Sequence, residues 1–392
     1  MSFLNNISSC HILKNILNIL DERKLLKLIK VNKILMNKMD IDIEDYKNFS
    51  GLYSTIEIEI IPVKDYKGTV FIPSNDYKDF IEIEKNKNNI IVKILPGLFE
   101  FSYLFYNCKG IEGIRFTKFF RNDIYYMNHM FAKCENLMFV DFESFNSSKV
   151  TKMDNMFSGC INLKRFKNFQ NINTSNVKRM EYMFSECKSL VKLDIRYFNT
   201  SKCENINFMF SECKSLTKLN LENFDTSKVI NMSYLFDECS SLESLDLNNF
   251  NTANVQLMKY MFNDCICLSK LFVDNFNTKN VISMEGMFYN CNSLIKLNLS
   301  SFTDDMLFDI KFMFYNCISL KKLDISNFSF KNIEYCECLF SYCSQLRTID
   351  ILKINENFKD DFKNIFYYCN YSVIKKLKKR YKDIDFYDED IK

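Results

Sequence analysis

The stretch Cys239-Ser240-Ser241-Leu242-Glu243-Ser244-Leu245-Asp246-Leu247-Asn248-Asn249-Phe250-Asn251-Thr252-Ala253-Asn254-Val255-Gln256-Leu257-Met258-Lys259-Tyr260-Met261-Phe262-Asn263-Asp264-Cys265 is one period of a pattern that fills most of this 392-residue chain. Cysteines recur at 108, 134, 160, 187, 213, 239, 265, 291, 317, 343 and 369, at intervals of 26 residues except for one of 27. Each closes the frame Met/Leu/Ile-Phe-x-x-Cys, as in Leu104-Phe105, Met156-Phe157, Met209-Phe210, Met287-Phe288 and Ile365-Phe366. The extra residue of the long interval falls around Lys167 to Asn171, where a bulged turn is expected. In-phase recurrence on this scale marks a repeat array.

The spacing inside one period predicts its local structure. Leu242-x-x-Leu245-x-Leu247 ends in strict alternation, the mark of a short strand with one buried face. Val255, Met258, Met261, Phe262 and Cys265 are spaced as one face of a helix. Asn251-Thr252 between them is turn chemistry that can cap the next helix. One unit therefore reads as strand, turn and short helix, too small to bury its apolar side alone, so the units must stack. At a strand spacing of about 4.8 Å, ten such intervals give a solenoid about 48 Å long.

Leu-x-x-Leu-x-Leu at this period resembles a leucine-rich repeat. The phrase Phe224-Asp225-Thr226-Ser227-Lys228-Val229, with Met-Phe-x-x-Cys, is similar to the BspA-like class, familiar from bacterial and mycoplasmal surface proteins and expanded in some protists. The resemblance covers Phe101 to Cys369. It implies an α/β leucine-rich-repeat solenoid and a binding role. The chain departs from bacterial members in having no Trp and few Gly, and its start is not expected to act as an export signal.

Composition narrows the function. Hydrophobic residues are 47% and charged residues 26%, with 39 Phe and 21 Tyr, enough to build a large core. Seven Gly and three Pro are too few for glycine-lined phosphate loops or a linker-rich chain. The net charge of +3 favours neither nucleic acid nor membrane. The crowding of Lys, Asn, Ile and Phe reads as the codon bias of an AT-rich genome. No run of about 20 apolar residues occurs, so no membrane span is expected.

The sixteen cysteines read as core. A buried free Cys behaves as a small hydrophobe, and the pairs Cys265/Cys267 and Cys336/Cys338 have no His nearby to complete a zinc site. His11 and His129 are the only imidazoles, and no nucleotide loop or metalloprotease motif is present. The chain is expected to be no enzyme and to need no cofactor or metal.

Between the buried strand leucines stands one outward residue per unit: Asp194, Asn220, Asp246, Phe272, Asn298 and Asp324. Two residues earlier come Lys192, Lys218, Lys270, Lys296 and Lys322, which predicts a self-neutralised ionic ladder on a concave, protein-binding face. Phe272 breaks the column and is the candidate anchor of a partner.

Four segments are expected. Residues 1–50 are expected to form a helical module, F-box-like or a cap on the solenoid: Ile12-Leu13-x-x-Ile16-Leu17-x-x-Leu20, then Leu25, Leu26, Leu28 and Val31, is similar to the F-box, which docks onto Skp-type adaptors of cullin ubiquitin ligases. The usual opening Leu-Pro and late Trp are missing. The resemblance makes Leu13, Leu17, Leu20, Leu25 and Leu28 the adaptor-binding candidates. Residues 51–100 read as a short-strand linker or N-terminal cap, 101–369 as the solenoid of about 10–11 units, and 370–392 as an amphipathic capping helix. The functional expectation is a cytoplasmic, monomeric interaction scaffold and F-box-like substrate receptor; the alternative is a BspA-like surface or adhesion protein.

Overall fold

A computed structural model of the chain describes residues 54–350 and 362–380. The array folds as a β-solenoid of about nine turns built from stacked 26-residue coils. The residues predicted to be helical in each unit form a chain of tight turns instead. In the coil that starts at Asn231, the N–H groups of Met232, Tyr234, Phe236 and Glu238 donate to Leu257, Lys259, Met261 and Asn263 of the next coil at 2.8–2.9 Å. The residues between them donate backwards within their own coil: Leu235 to Met232, Asp237 to Tyr234 and Cys239 to Phe236, at 3.1–3.3 Å. Tyr234 and Glu238 have φ of 58° and 52°, as the third residue of a type II turn requires.

Consecutive four-residue turns direct a side chain inward every three to four residues, so their sequence periodicity mimics that of a helix. The distinguishing event is where the alternate N–H groups go. In a helix all would bond within the segment; here half of them are given to the neighbouring coil, which no single unit can supply.

Strands supply the second wall of each coil. The strands β1 (Ile56–Pro62), β2 (Ile81–Lys85), β3 (Ile90–Ile94), β4 (Ile111–Lys118), β5 (Phe139–Asp141) and β6 (Arg165–Lys167) make one sheet, ordered β2-β3-β1-β4-β5-β6. Beyond it come the parallel pairs β7 (Lys192–Asp194) with β8 (Lys218–Asn220), β9 (Ser244–Asp246) with β10 (Lys270–Phe272), and β11 (Lys322–Asp324) with β12 (Thr348–Asp350). The 27-residue unit holds the expected irregularity: after β6, Asn168 turns left-handed at φ 52° and Phe169–Asn171 forms a single 3-10 turn.

Three side-chain columns lock the coils together. From Phe131 to Phe340 the frame phenylalanines stack nearly parallel, ring centroids 5.2–5.9 Å apart. Each threonine of the Asn/Asp-Thr turn is buried and bridges to the next coil. The Thr252 hydroxyl donates to the Asn277 carbonyl at 3.0 Å and accepts the Asn277 N–H at 2.7 Å; Thr278 does the same to Thr303. Asparagine amides donate across coils as well, as Asn254 does to the Ser227 carbonyl and Asn280 to that of Ala253. The abundance of Asn, expected from codon bias alone, therefore has a structural use: a side chain that can both donate and accept fits a stack of open backbone groups.

The two ends differ. At the N-terminal end β1 pairs antiparallel with both β3 and β4, and only then does the parallel stack begin with β4 and β5. Arg121, wholly buried, pins this junction: its guanidinium donates to both Asp123 oxygens at 2.8–2.9 Å and to the carbonyls of Leu95 and Leu98. At the other end are α1 (Phe362–Ile365) and α2 (Tyr371–Arg380), the latter burying Val373, Ile374 and Leu377. Residues 1–53, including the expected helical module, and 381–392 lie outside the described residues.

Candidate protein-interaction face

The outward column of the strands is where sequence reasoning placed a binding face. Its Asp and Asn residues prove to have local work first. Asp246 Oδ1 accepts the N–H of Asn248 at 3.0 Å, Asn220 that of Glu222 at 3.1 Å, Asn298 that of Ser300 at 3.1 Å and Asp324 that of Ser326 at 3.0 Å. Asp194 accepts from Arg196, through the backbone at 3.3 Å and the guanidinium at 2.6 Å. Each is an Asx turn that bends the chain out of its strand, which explains why Asp and Asn interchange freely in the column. The bond from Ser326 also holds the Asp324 carboxyl below its ordinary range.

The ionic ladder is correspondingly weaker than the sequence suggested. Among the described residues, a cross-coil lysine–aspartate contact on this face is Lys322 to Asp350, at 4.0 Å with both side chains more than half exposed. The column aspartates turn their oxygens to the backbone two residues on, leaving the lysines to solvent.

Phe272 cannot make the Asx turn. The N–H that such a side chain would have held, that of Asp274, donates instead to Asn248 Oδ1 of the preceding coil at 3.0 Å. The turn is satisfied from next door, and the Phe272 ring stands 45% exposed, in register with Asp246. Its outward placement follows from β10, where Leu271 points inward and Lys270 and Phe272 outward.

The three overlapping segments 99–219, 190–271 and 268–379 match one family model, described as "Mycoplasma protein of unknown function, DUF285". The chain belongs to this DUF285 family. The matched segments together run from the first coil into α2, so the family's repeat and the solenoid are the same object. No curated protein matches the chain. Among solved structures, a chain in the structure of the Toll–Spätzle complex, a molecular hub in Drosophila development and innate immunity, aligns at 15% identity and a TM-score of 0.23. That alignment covers 62% of this chain and 40% of the other, so this chain spans well under half the length of its match.

Within the DUF285 coils the cysteine column is chemically quiet. Each thiol from Cys134 to Cys343 donates to the carbonyl of the frame phenylalanine one coil back, as Cys239 does to Phe210 at 3.2 Å and Cys265 to Phe236 at 3.1 Å. Burial pushes these thiols up, Cys213 and Cys317 to about 12, so the reactive thiolate is suppressed. In the two C-x-C pairs, Cys265 and Cys336 are buried, Cys267 is exposed and Cys338 half-buried.

Sequence reasoning missed a second feature of the DUF285 coils. The left-handed residue five places before the column cysteine is aromatic in several successive coils, and Tyr182, Phe208, Tyr234 and Tyr260 stack with centroids 4.3–5.2 Å apart on the outer side of the double turns. Beyond them Gly286, at φ 59°, lies directly under the Tyr260 ring, where any Cβ would collide. The signal was in the sequence, at a fixed offset from each cysteine, but a helical reading put these positions on an unremarkable surface.

Other sites hold less. Among the described residues no group of His, Cys, Asp and Glu is arranged to hold a metal ion, and no helix is long and apolar enough to cross a membrane. A cleft of about 360 Å³ lies in the N-terminal sheet, between Val70, Phe71, Ile83 and Ile90. The adaptor-binding candidates Leu13, Leu17, Leu20, Leu25 and Leu28 lie outside the described residues.

Proposed function

We propose that the chain is a non-enzymatic protein-interaction scaffold whose strand face, centred on Phe272, binds a partner protein. The observation that carries this reading is the Phe272 position itself. It is an exposed aromatic among polar neighbours, and the turn chemistry that fixes the rest of its column has been taken over by Asn248. Aromatic side chains surrounded by polar groups are the usual anchors of protein interfaces, worth about 2 kcal/mol or more when truncated. In affinity purification from source cells, the wild-type chain should retain a partner that Phe272→Asp loses. With purified components the substitution should raise the Kd at least tenfold at unchanged thermal stability. An unchanged Kd would return Phe272 to the scaffold.

The finer form of the proposal is an F-box-like substrate receptor acting in the cytoplasm. It is supported by the leucine spacing from Leu13 to Leu28 and by a thiol column that bonds to carbonyls rather than pairing, as suits a reducing compartment. A Skp-type adaptor should then bind the intact chain and not one lacking residues 1–50. A second reading, a BspA-like surface protein, is favoured by the phrase Phe224 to Val229. Surface biotinylation of intact cells separates the two.

A further inference from the structure

The strand face changes character at its N-terminal end. From β7 onward the two outward strand positions pair a Lys, Ser or Thr with Asp, Asn or, once, Phe: Lys192 with Asp194, Ser244 with Asp246, Lys270 with Phe272, Thr348 with Asp350. In β6 both positions are cationic, Arg165 and Lys167, and both side chains are exposed. The neighbouring strand β5 places Phe139 in register with Arg165, and the ring lies flat over Gly113 of β4, where a Cβ could not fit. Around that one ring stand three cations: the guanidinium carbons of Arg115 and Arg165 at 5.7 Å and Lys167 Nζ at 5.9 Å from its centroid.

Their compensation is incomplete. Arg115 is paired with Glu59 at 2.8 Å. The Asp141 carboxylate, in register between Arg115 and Lys167, is buried and accepts the Asn168 amide at 2.8 Å. Among the described residues Arg165 and Lys167 have no carboxylate within ion-pairing distance. Like charges on neighbouring strand positions repel, and the face of one ring offsets only part of that. Lys167 has also displaced the Asp or Asn that ends later strands in an Asx turn. The turn is rebuilt by the inserted residue, the left-handed Asn168 and the Asn171 amide, which donates to the Phe142 carbonyl at 2.9 Å.

We infer that Arg165, Lys167 and the Phe139 platform form a docking site for an acidic peptide segment of a partner protein. The carboxylates of such a segment would pair with the two uncompensated cations, and its aliphatic stem or an aromatic neighbour would lie on the edge of the ring. The inference rests on the strand face being an interaction surface and names the chemistry of its partner. The site lies toward the N-terminal end of that face, and Phe272 on β10 stands four strands beyond β6.

The test uses the full chain and a fluorescein-labelled decapeptide of alternating Glu and Asp, titrated at low salt. The wild type should bind, and R165E/K167E should weaken binding at least tenfold while melting at the wild-type temperature. K296E/K322E makes the same charge change farther along the face and should shift the Kd less than threefold. R165Q/K167Q serves where the charge reversal disturbs folding and should also weaken binding. Equal losses in the near and far variants would reduce the site to net charge and overturn the inference, as would no binding by the wild type. Binding of a single-stranded oligonucleotide or anionic vesicles through the same residues, without peptide binding, would overturn it in favour of another polyanion. Phe272→Asp should leave the peptide Kd unchanged, so failure of this site and failure of the Phe272 interface are read separately.

Discussion

The sheet from Ile56 to Lys167 and the coils from Lys192 to Asp350 face the same problem, strands with open backbone groups on both sides, and meet it differently. In the first region strands of five to eight residues pair antiparallel before the stack begins, and its outermost strand β2 carries Glu82, Glu84 and Lys85 on exposed positions. Charged side chains blunt such an edge against further pairing. In the second region the strands have three residues each, too few to hold a coil in place. There the cohesion comes from the turn N–H groups donated to the next coil and from side chains that repeat in register: stacked phenylalanines, threonine hydroxyls and asparagine amides. The first region depends on pairing along strands, the second on columns across them.

That contrast can be broken most forcefully at the junction. Arg121→Met leaves Asp123 buried with its charge unpaired and two carbonyls without a donor. The expected loss is about 3–5 kcal/mol in equilibrium urea unfolding, since removing one partner of a buried pair strands the other. A loss below about 1 kcal/mol would mean that the antiparallel cap is not coupled to the coils as this bond pattern requires.

Within the coils the corresponding test removes one rung. Thr252→Val keeps the shape of the side chain and deletes the hydroxyl that serves both the N–H and the carbonyl of Asn277. About 1–3 kcal/mol should be lost, the range for buried polar groups left without partners. The same substitution at an exposed threonine such as Thr217 should cost little, and equal costs would deny the column its role.

The smallest effect is one of pH. Asp237 joins three coils, accepting from the Ser211 hydroxyl at 3.1 Å and the Asn263 amide at 2.6 Å. Burial raises its carboxyl to about 6, opposed by those two bonds and aided by Glu238 and Asp264. A carboxyl whose folded pKa lies above its unfolded one stabilises the fold when protonated. Its contribution is present in full below pH 4 and is lost as the pH rises through about 6. Urea midpoints measured between pH 4.5 and 7 should therefore include a decline from this group that Asp237→Asn removes. An identical pH profile in the variant would place the titration elsewhere.

Much of this architecture was legible in the chain. The cysteine interval gave the coil length, Leu245 and Leu247 the inward strand face, and the 27-residue unit an irregular turn, which the structure places at Asn168 to Asn171. The helix expected from Val255 to Cys265 is absent because its spacing is shared by a chain of tight turns, and only the destination of alternate N–H groups separates the two. The binding face was legible in part. The outward column was identified, but its Asp and Asn residues were read as charges facing lysines, whereas they hold the backbone two residues on. The basic cluster around Phe139 was not legible, because Arg115, Phe139 and Arg165 are each 24 to 26 residues apart and their meeting depends on strand register.

By itself the sequence determined that this chain is a repeat array, how long each coil is and which side chains face inward, because burial repeats with the period of the chain and a period can be read in one dimension. Tertiary structure decided what each coil is made of. A left-handed Tyr234 or Glu238 is costly in an isolated segment, by about 1–2 kcal/mol for a residue that is not glycine, and becomes the stable choice only when the next coil takes up the N–H groups it turns outward.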